Sequence, residues 1–317
     1  MNRLLAVLIL PLSILASAQP ALAQSCSFTI GDINFGSIDV TTNVPFTASA
    51  TFTANCTGTN GRFVRVCPNF GTGTGSTTDY DPRKLASGAS LMSYNLFQDS
   101  AYSTIWGSHL WGYPPTPPTI DIHLTGGGSG SASATIYARI PAGQTSLPSG
   151  VYSSSFSGSH TAIAYAYRSV GSCATIGSTN ATQAPFTVTA NNAITCAVTA
   201  SDLNFGSVTT LSSNHDVNGS ASVTCSNLAP YRVLLDNGLT GTGPTNRKMT
   251  LGADSVTYAL YRDAARTLAW GNTSGVDSLS GTGTGGAQSL TIYGRVPAQA
   301  VPPPGLYSDT VVITVEY

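Results

Sequence analysis

What most constrains this chain of 317 residues is that it repeats itself. CSFTIGDINFGSI (26–38) is answered by CAVTASDLNFGSV (196–208), and YNLFQD (94–99) by YALYRD (258–263). IWG (105–107) is answered by AWG (269–271), ATIYARIP (134–141) by LTIYGRVP (290–297), and GVYS (150–153) by GLYS (305–308). Five blocks in one order are beyond chance, so one domain design is used twice. The seam falls just before Cys196, near Asn191 and Asn192, which gives expected domains of 24–192 and 193–317.

Each unit reads as strands. Residues 222–225, 231–235, 256–261, 289–296 and 309–317 are β-branched or aromatic, with Gly-, Pro- or Asn-rich turns between them. Several alternate apolar and polar with period two, as half-buried strands must. Short strands at this spacing predict an all-β chain of two tandem immunoglobulin-like β-sandwich domains. Lys and Glu are scarce, charged residues make up 9% of the chain, and no segment carries a helical period. The formal net charge of −1 offers no electrostatic basis for binding nucleic acid or an anionic membrane.

The first residues predict export. Asn2 and Arg3 give a positive start, residues 4–16 an apolar run too short to span a bilayer, and Ala21, Leu22 and Ala23 a cleavage site. Residues 1–23 therefore read as a signal peptide. The six cysteines that remain, in an exported chain, predict three disulfides. Cys56 follows Cys26 by about the interval at which Cys225 follows Cys196, so the repeat pairs Cys26 with Cys56 and Cys196 with Cys225. Cys67 and Cys173 are left to join each other. A zinc site is the competing reading, and no C-x-x-C or matching histidine supports it.

The Cys-x6-Leu/Ile-Asn-Phe-Gly opening, the Tyr-x-Leu-Tyr-x-Asp block with Trp-Gly behind it, and the closing Tyr-Gly-Arg-Val-Pro…Gly-Leu-Tyr-Ser-Asp resemble the spore coat protein U domain. The resemblance is close over 196–317 and looser over 26–167. Domains of this family occur in subunits of archaic chaperone–usher (Csu-type) pili, and a two-domain member resembles the tip adhesin. The resemblance implies a subunit fold lacking its last strand, which a periplasmic pilus chaperone lends and an adjacent pilus subunit later replaces. It further implies an outer-membrane usher, a place at the pilus tip on the cell surface, attachment to abiotic or host surfaces, and biofilm formation.

The residues point the same way. After 167 the first unit continues through Cys173 into QAPFTVTA (183–190), where Ala184, Phe186, Val188 and Ala190 alternate with polar or small partners, a strand available in cis. The second unit has nothing comparable before Tyr317, so it is expected to be one strand short. Its groove and unpaired sheet edge would invite a strand from another chain. With Cys26 close behind the expected cut, no N-terminal tail is expected for donation to another subunit.

The first unit is also eight residues longer between Trp106 and Ile136 than the second between Trp270 and Ile292. The excess centres on HLWGYPPTPP (109–118), where Leu110, Trp111, Tyr113, Pro114 and Pro115 make an apolar loop stiffened by proline. Rigid aromatic surface suits contact because ordering it costs little, and the resemblance assigns such loops to surface attachment. Phe70 and Tyr80 are weaker candidates. The competing reading packs Trp111 or Tyr113 onto its own domain. Asp32 and Asp202 recur with the repeat, which favours a structural turn role. GTGTGG (281–286) fits G-x-G-x-x-G by letter but leads into a strand, and the four histidines lie far apart. No catalytic residue, cofactor or metal is expected. The rival functions are a structural pilin or coat subunit, a carbohydrate-binding adhesin, and a plain secreted protein with two complete domains.

Overall fold

The computed structural model describes residues 23–112, 116–167 and 172–317. The expected signal peptide, apart from Ala23, lies outside these residues, as do Tyr113, Pro114 and Pro115.

Alternating sequence produces strands throughout. The first half runs β1 (Ser25–Ile30), β2 (Ile33–Ile38), β3 (Phe46–Thr57), β4 (Phe63–Phe70), β5 (Arg83–Ser87), β6 (Ser90–Phe97), β7 (Ile120–His123), β8 (Ser129–Ile140), β9 (Gly150–Phe156) and β10 (Thr161–Tyr167). It then continues through a one-turn helix α1 (Cys173–Ile176) to β11 (Thr182–Gln183) and β12 (Phe186–Asn192). One sheet has the order β1-β3-β8-β6-β5-β9-β12-β2 and the other β11-β10-β4-β7. The edge strands β1 and β2 are consecutive in sequence, so one extended segment, bent at Gly31 and Asp32, supplies both edges of the longer sheet. Between the sheets lies a core containing Phe52, Val64, Val66, Phe70, Leu85, Tyr94, Trp106, Ile136, Tyr152 and Phe156.

The second half comprises β13 (Cys196–Ala200), β14 (His215–Cys225), β15 (Pro230–Leu235), β16 (Arg247–Leu251), β17 (Asp254–Tyr261), β18 (Leu279–Thr282), β19 (Ala287–Val296) and β20 (Ile313–Glu316). Its sheets are β13-β14-β19-β17-β16 and β18-β15-β20, around a separate core with Val223, Tyr231, Val233, Leu235, Tyr258, Leu260 and Trp270. Matched through the repeat, these are β1-β3-β8-β6-β5 and β7-β4-β10. The chain is thus all-β, with two immunoglobulin-like sandwich halves built on one plan.

Three disulfides hold the plan. Cys26–Cys56 and Cys196–Cys225 join directly opposed residues of β1 and β3 and of β13 and β14. Cys67–Cys173 ties α1 to β4 across 106 residues of sequence, with Ala164, Ala166 and Ile176 packed around it. This third bond anchors the segment that returns as β11 and β12.

Each half also contains a buried arginine in a position of the repeat that hydropathy alone would leave on the surface. Arg83 donates to the carbonyls of Gly71 (2.8 Å), Phe70 (3.2 Å) and Trp106 (2.7 Å) and to Asn95 Oδ1 (2.5 Å). Arg247 donates to the carbonyls of Asp236 (2.7 Å), Pro244 (2.7 Å), Leu235 (3.1 Å) and Trp270 (2.8 Å). Burial lowers the pKa of Arg247, yet a guanidinium stays charged and its fixed fork satisfies several loop carbonyls at once. The indole N–H of Trp106 bonds to Pro68 O and that of Trp270 to Val233 O, so both tryptophans belong to the shared architecture.

In the first half, β12 is a core strand. Phe186 stacks on Phe156 at 4.5 Å and lies 5.2 Å from Phe70. Phe186→Ala should cost about 3–5 kcal/mol, the usual range for emptying a buried aromatic site. In a urea titration only the transition of the first half should shift.

Candidate functional site

The two halves differ at one edge. In the first, β12 lies between β9, antiparallel from Phe186↔Phe156 to Asn192↔Gly150, and β2, parallel from Val188↔Ile33 to Asn192↔Ile38. Its apolar residues and the preceding Ala184 point inward: Ala184, Phe186, Val188 and Ala190 are all buried in the core. Side chains lock its ends. Asp32 Oδ1 accepts the Thr187 N–H at 2.7 Å, which extends the ladder by a rung where backbone pairing has not yet begun. The buried Asn192 accepts from Val40 N and donates to the carbonyls of Leu147 and Pro148.

In the second half, no strand among the described residues takes the place of β12. Its two neighbours lose their pairing with it. The counterpart of β9, residues 305–311, keeps a single bridge, Thr250↔Ser308, on its inner side. The counterpart of β2, residues 203–208, has no strand partner. An eight-stranded sheet becomes five-stranded because one strand is missing and two others cannot pair without it. Backbone groups left unpaired in this way must find water or another strand.

The groove between these segments has an apolar floor. Leu203, Phe205, Tyr307 and Val311 are half-buried, whereas Tyr152 and Phe156, the counterparts of Tyr307 and Val311, are fully buried. Val208 is 38% exposed where Ile38 is 3% exposed. Leu306 is also exposed, but so is its counterpart Val151, and both belong to the outer face. One polar group sits in the floor. Asp309 replaces Ser154, and its carboxylate accepts from Leu239 N (2.9 Å) and from the Tyr258 hydroxyl (2.7 Å). Burial and this carboxylate push the Tyr258 phenol strongly upward, so it remains a neutral donor.

The free edge is already shaped. Gly36 beside β12 has φ +72° and its N–H bonds to Asn34 Oδ1 at 2.8 Å. Gly206, with no strand beside it, has φ +75° and bonds to Asn204 Oδ1 at 2.7 Å. Left-handed backbone of this kind favours glycine, and the Asn-x-Gly bulge forms whether or not its partner is present.

The long loop of the first half has a different character. Leu110 is 38% exposed. Trp111 is half-buried, with its indole N–H bonded to Ser159 O at 2.9 Å and its ring 4.6 Å from His160. Phe70, a weaker surface candidate from sequence, is fully buried against Trp106 and Phe186, because it closes an aromatic stack in the core. Among the described residues, no group of His, Cys, Asp and Glu could hold a metal ion.

The sequence model of the Spore Coat Protein U domain matches residues 13–158 and 182–314. The chain belongs to this family. The second match begins at residue 182, so it groups β11 and β12 with the following domain although they pack in the preceding one. Protein U of Myxococcus xanthus is 38% identical over 106 residues, 31% of this chain and 59% of that protein's length. Among solved structures, the CsuC–CsuE chaperone–tip adhesion subunit pre-assembly complex of archaic chaperone–usher Csu pili from Acinetobacter baumannii matches over 92% of this chain and 100% of that one, at 18% identity and a TM-score of 0.54. The CupB6 tip adhesin of Pseudomonas aeruginosa covers 94% of this chain and 95% of its own, at 13% identity and a TM-score of 0.40. The Csu likeness shows a shared fold.

His160, the residue beneath Trp111, carries a pH prediction. Its Nδ1 accepts the Gly73 N–H at 3.2 Å, and burial lowers its pKa. The stability it supports is present above the unfolded value of about 6.5 and is lost as pH falls through the folded value. Between pH 7 and pH 5, unfolding midpoints should fall further for the wild type than for H160Q.

Proposed function

We propose that this chain is the tip adhesin of an archaic chaperone–usher pilus, exported through the periplasm and displayed on the cell surface. Its second domain accepts a strand from an adjacent pilus subunit, and its first domain faces outward and attaches to abiotic or host surfaces, promoting biofilm formation. Before assembly a periplasmic chaperone fills the same groove, and an outer-membrane usher exports the complex.

The observation that carries this reading is the unequal edge. The first groove is filled by residues that immediately precede Cys196, the opening residue of the next domain. The first domain is thus completed by the segment that leads from it into the domain that follows. Applied to the second domain, the same rule calls for the lead segment of a following subunit. Four inward residues would fill the groove, with large ones such as those matching Phe186 and Val188 contributing roughly 1.5–3 kcal/mol each before ordering costs. The family and the fold shared with a tip adhesion subunit support this assignment.

The attachment surface is assigned to the loop carrying Leu110, Trp111, Tyr113, Pro114 and Pro115. Leu110 is exposed and supports this assignment, whereas Trp111 packs half-buried on its own domain against Ser159 and His160 and anchors the segment before Tyr113.

Self-completion tests the assembly role. A variant carrying residues 182–192 after Tyr317 through a short Gly/Ser linker should raise the melting temperature of the second domain. It should also fail to enter pili in cells lacking the wild-type copy. Pili that still carry the self-completed chain at their tip, with its melting temperature raised, would contradict the role.

A further inference from the structure

The way the first domain holds β12 bears on what the second domain can take, if it accepts a strand as proposed above. Asp32 is exposed, and the hydrogen bond from Thr187 N–H is made by its side chain rather than by the sheet. It lies one residue before Ile33, where the parallel ladder with β12 starts at Val188. Asp202 stands in the same place, one residue before Leu203 and two before the Asn204–Gly206 bulge, whose backbone geometry matches that around Asn34 and Gly36. Asp202 makes no hydrogen bond among the described residues and is exposed. Nothing within its own domain uses this carboxylate, while its counterpart has one partner, the strand.

We infer that Asp202 is a clamp that holds the incoming segment at its leading end by accepting one backbone N–H. The occupant is an extended peptide segment of another chain that runs parallel to residues 203–208 and antiparallel to 305–311. Taking β12 as the template, it presents inward residues at four alternate positions, as Ala184, Phe186, Val188 and Ala190 do. The clamped N–H belongs to the residue between the second and third of these, so proline is excluded there. Side-chain pockets alone tolerate a slip of two residues, because apolar residues recur at that period. The carboxylate accepts any N–H that reaches it, so it discriminates only against registers that bring a proline there, as a slip placing Pro185 of the template at the clamp would.

A peptide cycle tests the clamp in the full chain. The probe is a synthetic peptide of residues 182–192, and a second version is N-methylated at the nitrogen of its Thr187 residue. Affinities are measured for wild type, D202A and D202N. With the unmodified peptide, D202A should weaken binding about 5- to 10-fold, as expected for an exposed charge-assisted hydrogen bond. D202N, which keeps an acceptor oxygen, should retain most of the affinity. With the methylated peptide the difference between wild type and D202A should vanish, since a coupled pair cannot be lost twice. An equal loss with both peptides would overturn the clamp and leave strand acceptance standing. Failure of wild type to bind the unmodified peptide would overturn both.

Discussion

A β-sandwich of this design is complete only when a strand lies between the segments corresponding to β9 and β2, and everything distinctive about the molecule follows from that constraint. The strand supplies two ladders and four inward side chains. In the first half, Phe186 joins Phe156 and Phe70 in one aromatic stack, and Asn192 and Asp32 secure the two ends. In the second half the same framework stands without a strand among the described residues, and of the two flanking segments one keeps a single bridge, at Ser308, and the other has no strand partner.

The open half is not a collapsed half. Its core is held by features independent of the missing strand: the Cys196–Cys225 bond, the Arg247 guanidinium on four carbonyls, and Trp270 bonded to Val233. The Asn204–Gly206 bulge is already formed, and the bridge at Ser308 holds the other wall. A groove whose walls are set before anything enters loses less entropy on binding. The first half shows the opposite provision. Cys67–Cys173 shortens the tether to β12, so the strand is delivered to its own groove.

Much of this was legible in the sequence, because a repeat within one chain supplies its own comparison. The repeat gave the domain plan, and the spacing of Cys26, Cys56, Cys196 and Cys225 gave pairings that match the bonds in the fold. Alternation in 183–190 marked a strand with a buried face. Other features were out of reach for physical reasons. Phe70 sits in a Gly- and Thr-rich stretch and reads as loop, but its neighbours in space, Trp106 and Phe186, are distant in sequence. Arg83 and Arg247 recur in RKL and RKM, yet charge argues for the surface unless the converging carbonyls are known. Asp32 read as a turn residue because its partner, Thr187 N–H, lies 155 positions away. That removing one strand also unpairs two neighbours is a property of sheet order, which no local pattern encodes.

The unequal edge can be read directly by amide hydrogen exchange on the full chain. The account predicts that residues 151–156 and 33–38 exchange slowly, through opening of the first half. Residues 306–311 and 203–208, at equivalent places, should exchange faster by several orders of magnitude. Equal protection of the two sets would mean that the second half is closed and would contradict the account.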